Sequence, residues 1–109
     1  MIARWLLLIA AAALFGTSVA RANDLIRVGK AQGTAWTFLP IDVGIAEGYF
    51  ARQGLDVESA SLGGDAKVQQ ALAAGSIDIG LGSGPGLAFV AKGSLAIGVA
   101  AFAGPPRNI

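Results

Sequence analysis

The stretch "AEGYFARQGLDVES", residues 46–59, passes from a helical to a strand period across one glycine, and this handover constrains the fold more than any other feature. Before Gly54, the apolar positions Phe38, Ile41, Ile45 and Tyr49 recur at intervals of three and four, and Pro40 sits where a first helical turn tolerates it. The spacing predicts a helix from Phe38 to about residue 52. Gly44 and Gly48, four apart on one face, each cost about 1 kcal/mol relative to alanine in a helix interior. They predict a close approach of the helix backbone to a sheet. After Gly54, Leu55, Val57 and Ser59 alternate with Asp56 and Glu58, the period of a strand that is wet on one face and suited to a sheet edge. Gly54 supplies the positive φ that a helix C-cap favours.

The same unit recurs along the chain. Residues 24–29 read as a first strand followed by the loop Gln32-Gly33-Thr34. Gly63-Gly64-Asp65 precedes a helix patterned by Val68, Ala71, Leu72 and Gly75, with Gly75 as its stop. Residues 77–81 read as a third strand, residues 82–85 as a turn, residues 87–92 as a short helix and residues 95–102 as a fourth, continuously apolar strand. Alternating strands and helices joined by short connections build a parallel sheet covered by helices. The fold class is therefore α/β, a parallel-sheet lobe with flanking helices.

Charge and residue usage remove whole classes of function. A net charge of +1 offers no basic field for a phosphate backbone or an anionic membrane, so nucleic acid is not an expected partner. The sequence has no cysteine and no histidine, which rules out disulfides, thiolate nucleophiles, imidazole bases and the usual zinc or copper ligand sets within it. No metal or cofactor is expected. The glycine-rich run at residues 80–86 matches neither G-x-G-x-x-G nor the P-loop pattern. Asp24 and Asp78 are isolated carboxylates with no neighbouring acid or base, so no catalytic pair is formed.

At the N-terminus, Arg4 precedes an apolar run over residues 5–15, and Ala20-Arg21-Ala22 satisfies the small-residue cleavage rule. Residues 1–22 are expected to be a cleaved Sec-type signal peptide, with cleavage after Ala20 as the other fitting cut. The run is short against the roughly 20 residues of a spanning helix. The mature chain, residues 23–109, is expected in the periplasm. Its ending shortly after an apolar segment, at Gly104-Pro105-Pro106, leads to the expectation of a truncated lobe.

In a parallel α/β sheet, ligands bind beyond the carboxyl ends of the strands, where loops lead into helix N-termini. The candidate ligand-binding residues are Gln32, Thr34, Trp36, Gly64, Ser83 and Gly84, all from three loops expected at that rim. Each has a plainer role open to it. Ser83 binds a ligand oxygen or caps the helix opened by Pro85. Gly64 lends its amide to an anion or only makes a tight turn. Trp36 stacks on a ligand or belongs to the core. Asp65 is expected to be an N-cap, since a carboxylate beside an anionic ligand is repulsive.

The residues "AEGYFARQGLDVE" followed by "VQQALAAGSIDIGLGS" resemble the N-terminal lobe of periplasmic substrate-binding proteins of ABC importers, of the nitrate, sulfonate and taurine (SsuA/THI5-like) type. The matching places are Gly48-Tyr49-Phe50, then Gly54-Leu55-Asp56-Val57, then Ala71-Leu72-Ala73-Ala74-Gly75-Ser76-Ile77-Asp78. The resemblance implies the first part of a bilobed, type II periplasmic-binding-protein fold. It implies a monomeric, non-enzymatic protein that captures a small organic anion or similar polar solute and delivers it to a membrane permease. The same fold also serves enzymes of thiamine-pyrimidine synthesis that use a histidine and a cysteine-rich segment, neither present here, and an extracellular ligand-sensing domain is the further alternative.

Overall fold

The computed structural model describes residues 22–101. The expected signal peptide and the proline-containing end of the chain therefore lie outside the described residues, apart from Ala22. Three parallel strands, β1 (Asp24–Lys30), β2 (Leu55–Ser61) and β3 (Ile79–Leu81), form one sheet in the order β2-β1-β3. Three helices, α1 (Leu39–Ala46), α2 (Asp65–Ala73) and α3 (Gly84–Ala91), follow the strands in turn, with a 3-10 turn at Trp36–Phe38 leading into α1. The α/β class with parallel strands is thus as the sequence implies.

Strand pleating decides which helix covers which face. Lys30 reaches Asp42 of α1, whereas Gly80, the residue after Ile79, would press a Cβ against Val68 and Leu72 of α2. Gly29 pairs with Gly80 and shares its face, and Lys30, the next residue, points the opposite way. So α1 and α2 lie on opposite faces of the sheet. The core on the α2 side gathers Ala31, Phe38, Val68 and Ile77, with Leu62, Leu72 and Leu81 packed around them. As expected, β2 is an edge strand, with Leu55, Val57 and Ser59 turned inward and Asp56 and Glu58 in solvent.

All three helices stop in the same way. At α1, the Gly48 N–H donates to the Ile45 carbonyl and the Tyr49 N–H to the Gly44 carbonyl. Gly75 and Ser76 repeat this pair of bonds after α2, and Gly93 and Ser94 after α3. The left-handed backbone at Gly48 (φ 67°), Gly75 (φ 67°) and Gly93 (φ 94°) makes the motif possible. This corrects the single helix expected from Phe38 to about residue 52: Gly48 is a stop, not an interior residue. A separate 3-10 turn, Ala51–Gln53, then leads to Gly54 at φ 76°, the cap expected before β2. Gly44 is indeed a close-approach position, but what meets it is the Phe50 ring, 2.6 Å from where a Cβ would stand, and not a sheet.

The third strand is shorter than residues 77–81. The Asp78 carboxylate takes the Arg27 N–H at 2.9 Å, the bond a ladder carbonyl would otherwise accept, while the Asp78 N–H donates to the Arg27 carbonyl at 2.8 Å. The same carboxylate accepts from Arg27 Nε at 3.0 Å and Nη2 at 2.8 Å. These bonds hold the Asp78 carboxyl at about 2, below its ordinary 3.8, chiefly through the Arg27 side chain and its backbone N–H. A depressed carboxylate contributes stability above its unfolded pKa and loses it as pH falls through the folded value. Acid unfolding is therefore expected to steepen between about pH 4 and pH 2, and Asp78→Asn to flatten that part of the profile in a pH-dependent urea titration.

The last helix covers Gly84–Ala91 in place of residues 87–92, because Pro85 occupies its first turn. The fourth strand is not formed over residues 95–101. Ser94 ties the segment to α2 by a bond from its hydroxyl to Gln69 Oε1 at 2.9 Å, and residues 95–101 do not join the sheet. Leu95, Ile97 and Val99 are left exposed there. A strand cannot form without a ladder partner for its amides and carbonyls.

Candidate functional site

The register brings the three strand ends level. Lys30, the last residue of β1, pairs with Ser61 of β2 and Leu81 of β3, the last residues of those strands. The Ala31 N–H donates to the Leu81 carbonyl and the Leu62 N–H to the Lys30 carbonyl, both at 2.8 Å, so the alignment continues into the loops. The order β2-β1-β3 means that the connections from β1 and from β2 leave in opposite directions. A crevice at such a switch point is where open parallel sheets hold ligands.

All six sequence-expected residues stand along this rim. Gln32 and Thr34 are exposed in the loop after β1, and Trp36 begins the 3-10 turn with 84% of its surface open, which settles that it is not a core residue. Gly64 precedes α2 at φ 144°, a backbone conformation closed to other residues, and no atom stands within 4 Å of where its Cβ would be. Ser83 holds the N-cap position of α3, and Gly84 is that helix's first residue.

Asp65 corrects two expectations at once. It is the first residue of α2, where Gly64 is the N-cap, so it does not cap its own helix. Its carboxylate crosses to the next loop, accepting the Ser83 N–H and the Ser83 hydroxyl, each at 2.8 Å. The Ser83 side chain accordingly caps nothing in α3. Gly82 lies so close to Asp65 Oδ1 that any Cβ would collide with it. On the other side of the rim, Gly33 sits over Ser61, 3.2 Å from its Cβ to where a Cβ of Gly33 would lie. The first loop is thus seated on the end of β2, and the second is clasped to the third.

Beneath the rim lies an ion pair the sequence did not announce. Lys30 is only 7% exposed and donates from Nζ to both carboxylate oxygens of Asp42, at 2.7 and 2.8 Å. It anchors α1 to the end of the central strand. Twelve residues separate the partners, which is no helical or strand spacing, so only the fold reveals the contact. Asp65 and Ser83, eighteen apart, escape sequence reading for the same reason.

A groove of about 500 Å³ opens beside β3, lined by Leu72, Ile77, Ile79, Leu87, Leu95 and Ile97 among others, and it reaches the rim at Gly82 and Ser83. It follows the free edge of β3 where residues 95–101 do not pair, and it does not lie between the three loops. Among the described residues no group of three or more acidic side chains converges as a metal site would require.

A family model described as NMT1/THI5 like matches residues 36–103, from the 3-10 turn at the rim to beyond α3. The chain belongs to the NMT1/THI5-like family. No curated protein and no solved structure matches it. The family consists mainly of substrate-binding proteins, with a biosynthetic branch beside them. In this NMT1/THI5-like chain the matched residues carry Trp36, Gly64, Asp65, Ser83 and Gly84, while Lys30, Gln32 and Thr34 precede them. Among the described residues no helix is long and apolar enough to cross a membrane.

Proposed function

We propose that this protein is the solute-binding component of an ABC importer, exported to the periplasm by residues 1–22, and that it captures a small organic anion or similar polar solute of the sulfonate, taurine or nitrate kind. The observation that carries this reading is the convergence, within an NMT1/THI5-like chain, of three loops at one rim of a parallel sheet. Gln32 and Thr34 supply hydrogen-bonding side chains, and Gly64 and Gly84 supply backbone amides with no side chain in the way. Trp36 shields the solute, and Ser83 stands at the start of α3. The chain acts as a monomer without catalysis and hands its solute to a permease, with a second lobe closing the trap.

Thermal-shift titration of the intact protein with aliphatic sulfonates, nitrate and pyrimidines tests the reading. A solute at a hundredfold excess over its Kd stabilises by about 2.7 kcal/mol, which is roughly 11–22 °C in Tm for a domain of this size. One chemical class should give that shift, and a flat response across all three sinks the proposal. Trp36→Ala should leave the ligand-free Tm unchanged, because the ring is in solvent, and weaken the responding solute roughly three- to tenfold.

A further inference from the structure

The clasp between Asp65 and Ser83 bears on which solutes the rim accepts. An oxyanion docking at the start of α3 would seek the Ser83 N–H and hydroxyl, and both are already donated to the Asp65 carboxylate at 2.8 Å. The place is built for that carboxylate, since the absence of a side chain at Gly82 is what lets Asp65 Oδ1 in. Among the described residues no ion pair offsets the charge. The two ion pairs among the described residues are Arg27 with Asp78 and Lys30 with Asp42, and neither includes Asp65. Lys67 holds its ammonium beside Gly63 and makes no ion pair with Asp65. An ionised carboxylate has about four acceptor positions, of which Ser83 takes two. Asp65 is partly exposed, and among the described residues its carboxylate accepts no side-chain or backbone hydrogen bond other than the two from Ser83.

We propose that Asp65 narrows the solutes proposed above, turning away bare oxyanions such as nitrate and plain sulfonates and selecting those that present an amine or another N–H donor to its remaining acceptor positions. This deepens the solute-binding reading and rests on it. A bare anion must displace the carboxylate or lie beside a like charge, whereas an N–H donor completes the hydrogen bonding of Asp65, and an ammonium also neutralises it.

The test titrates the intact, ¹⁵N-labelled protein with two matched pairs, taurine against ethanesulfonate and 4-aminopyrimidine against pyrimidine, and with sulfate as a bare anion. In the wild type, at least one amine should bind about tenfold or more tightly than its partner, and sulfate should leave the Ser83 amide unmoved. Asp65→Asn keeps the shape of the clasp and removes the charge. There the amine preference should fall below about threefold, and sulfate should shift the Ser83 amide saturably. Asp65→Ser repeats this arm if Asp65→Asn does not fold. Ethanesulfonate, pyrimidine or sulfate binding the wild type as tightly as the amines overturns the proposal, and so does an Asp65→Asn protein indifferent to sulfate. If no probe moves a rim amide in the wild type while sulfate does in Asp65→Asn, exclusion of anions by Asp65 stands and the solute-binding reading falls.

Discussion

Asp42→Ala is expected to lower the unfolding free energy of the intact protein by about 3 kcal/mol, because it leaves the Lys30 ammonium buried without its partner. Lys30 is 7% exposed, and both of its hydrogen bonds end on Asp42, so truncation removes them together. The Asp42 side chain is 42% exposed, and water entering there keeps the loss at the lower end of the range for buried pairs. The converse change separates charge burial from packing. Replacing both partners, as Lys30→Met with Asp42→Ala, should recover most of the loss, since an apolar side chain leaves no desolvated charge behind. Urea denaturation of the two variants checks this. A double variant as unstable as Asp42→Ala would mean that the carboxylate holds α1 by some other contact.

Gly80→Ala is expected to cost about 2 kcal/mol through overpacking. The new Cβ would stand 2.5 Å from Val68 Cγ1 and 3.0 Å from Leu72 Cδ1, on the face where α2 meets the sheet. Val68 is 2% exposed and β-branched, so it has no second rotamer to retreat into without moving the helix. Val68→Ala alone should cost about 2 kcal/mol for the lost burial. The two together should be less damaging than their sum, because the second change makes room for the first. Additive losses in a denaturant cycle would show that α2 shifts as a body and that the Gly80–Val68 contact does not set its distance from the sheet.

Two of the glycine stops were legible because they are local. Gly54 and Gly75 close their segments as their spacing implies, and the alternation after Gly54 marks β2 as a half-wet edge. Gly48 was misread for a local reason too. Apolar residues continue in helical phase across it, and periodicity cannot distinguish one helix from a helix, a left-handed glycine and a 3-10 turn in succession. Residues 95–101 were misread for a non-local one. Their apolar run has the composition of a strand, but a strand exists only where another offers ladder partners, and this segment, tied to α2 through Ser94, pairs with none among the described residues.

The candidate site divides along the same line. By itself the sequence determined the α/β class, the edge character of β2, the loops that precede the helices, and Gly54 and Gly75 as stops, because periodicity and backbone preference act over a few residues. Tertiary structure alone decided that the strand ends stand level, that Asp65 serves Ser83 in place of its own helix, that Lys30 is buried against Asp42, and that Trp36 faces solvent. Those contacts join residues twelve to eighteen positions apart or depend on what a side chain is packed against. Such pairings are chosen by the geometry of the folded sheet, which no local preference encodes.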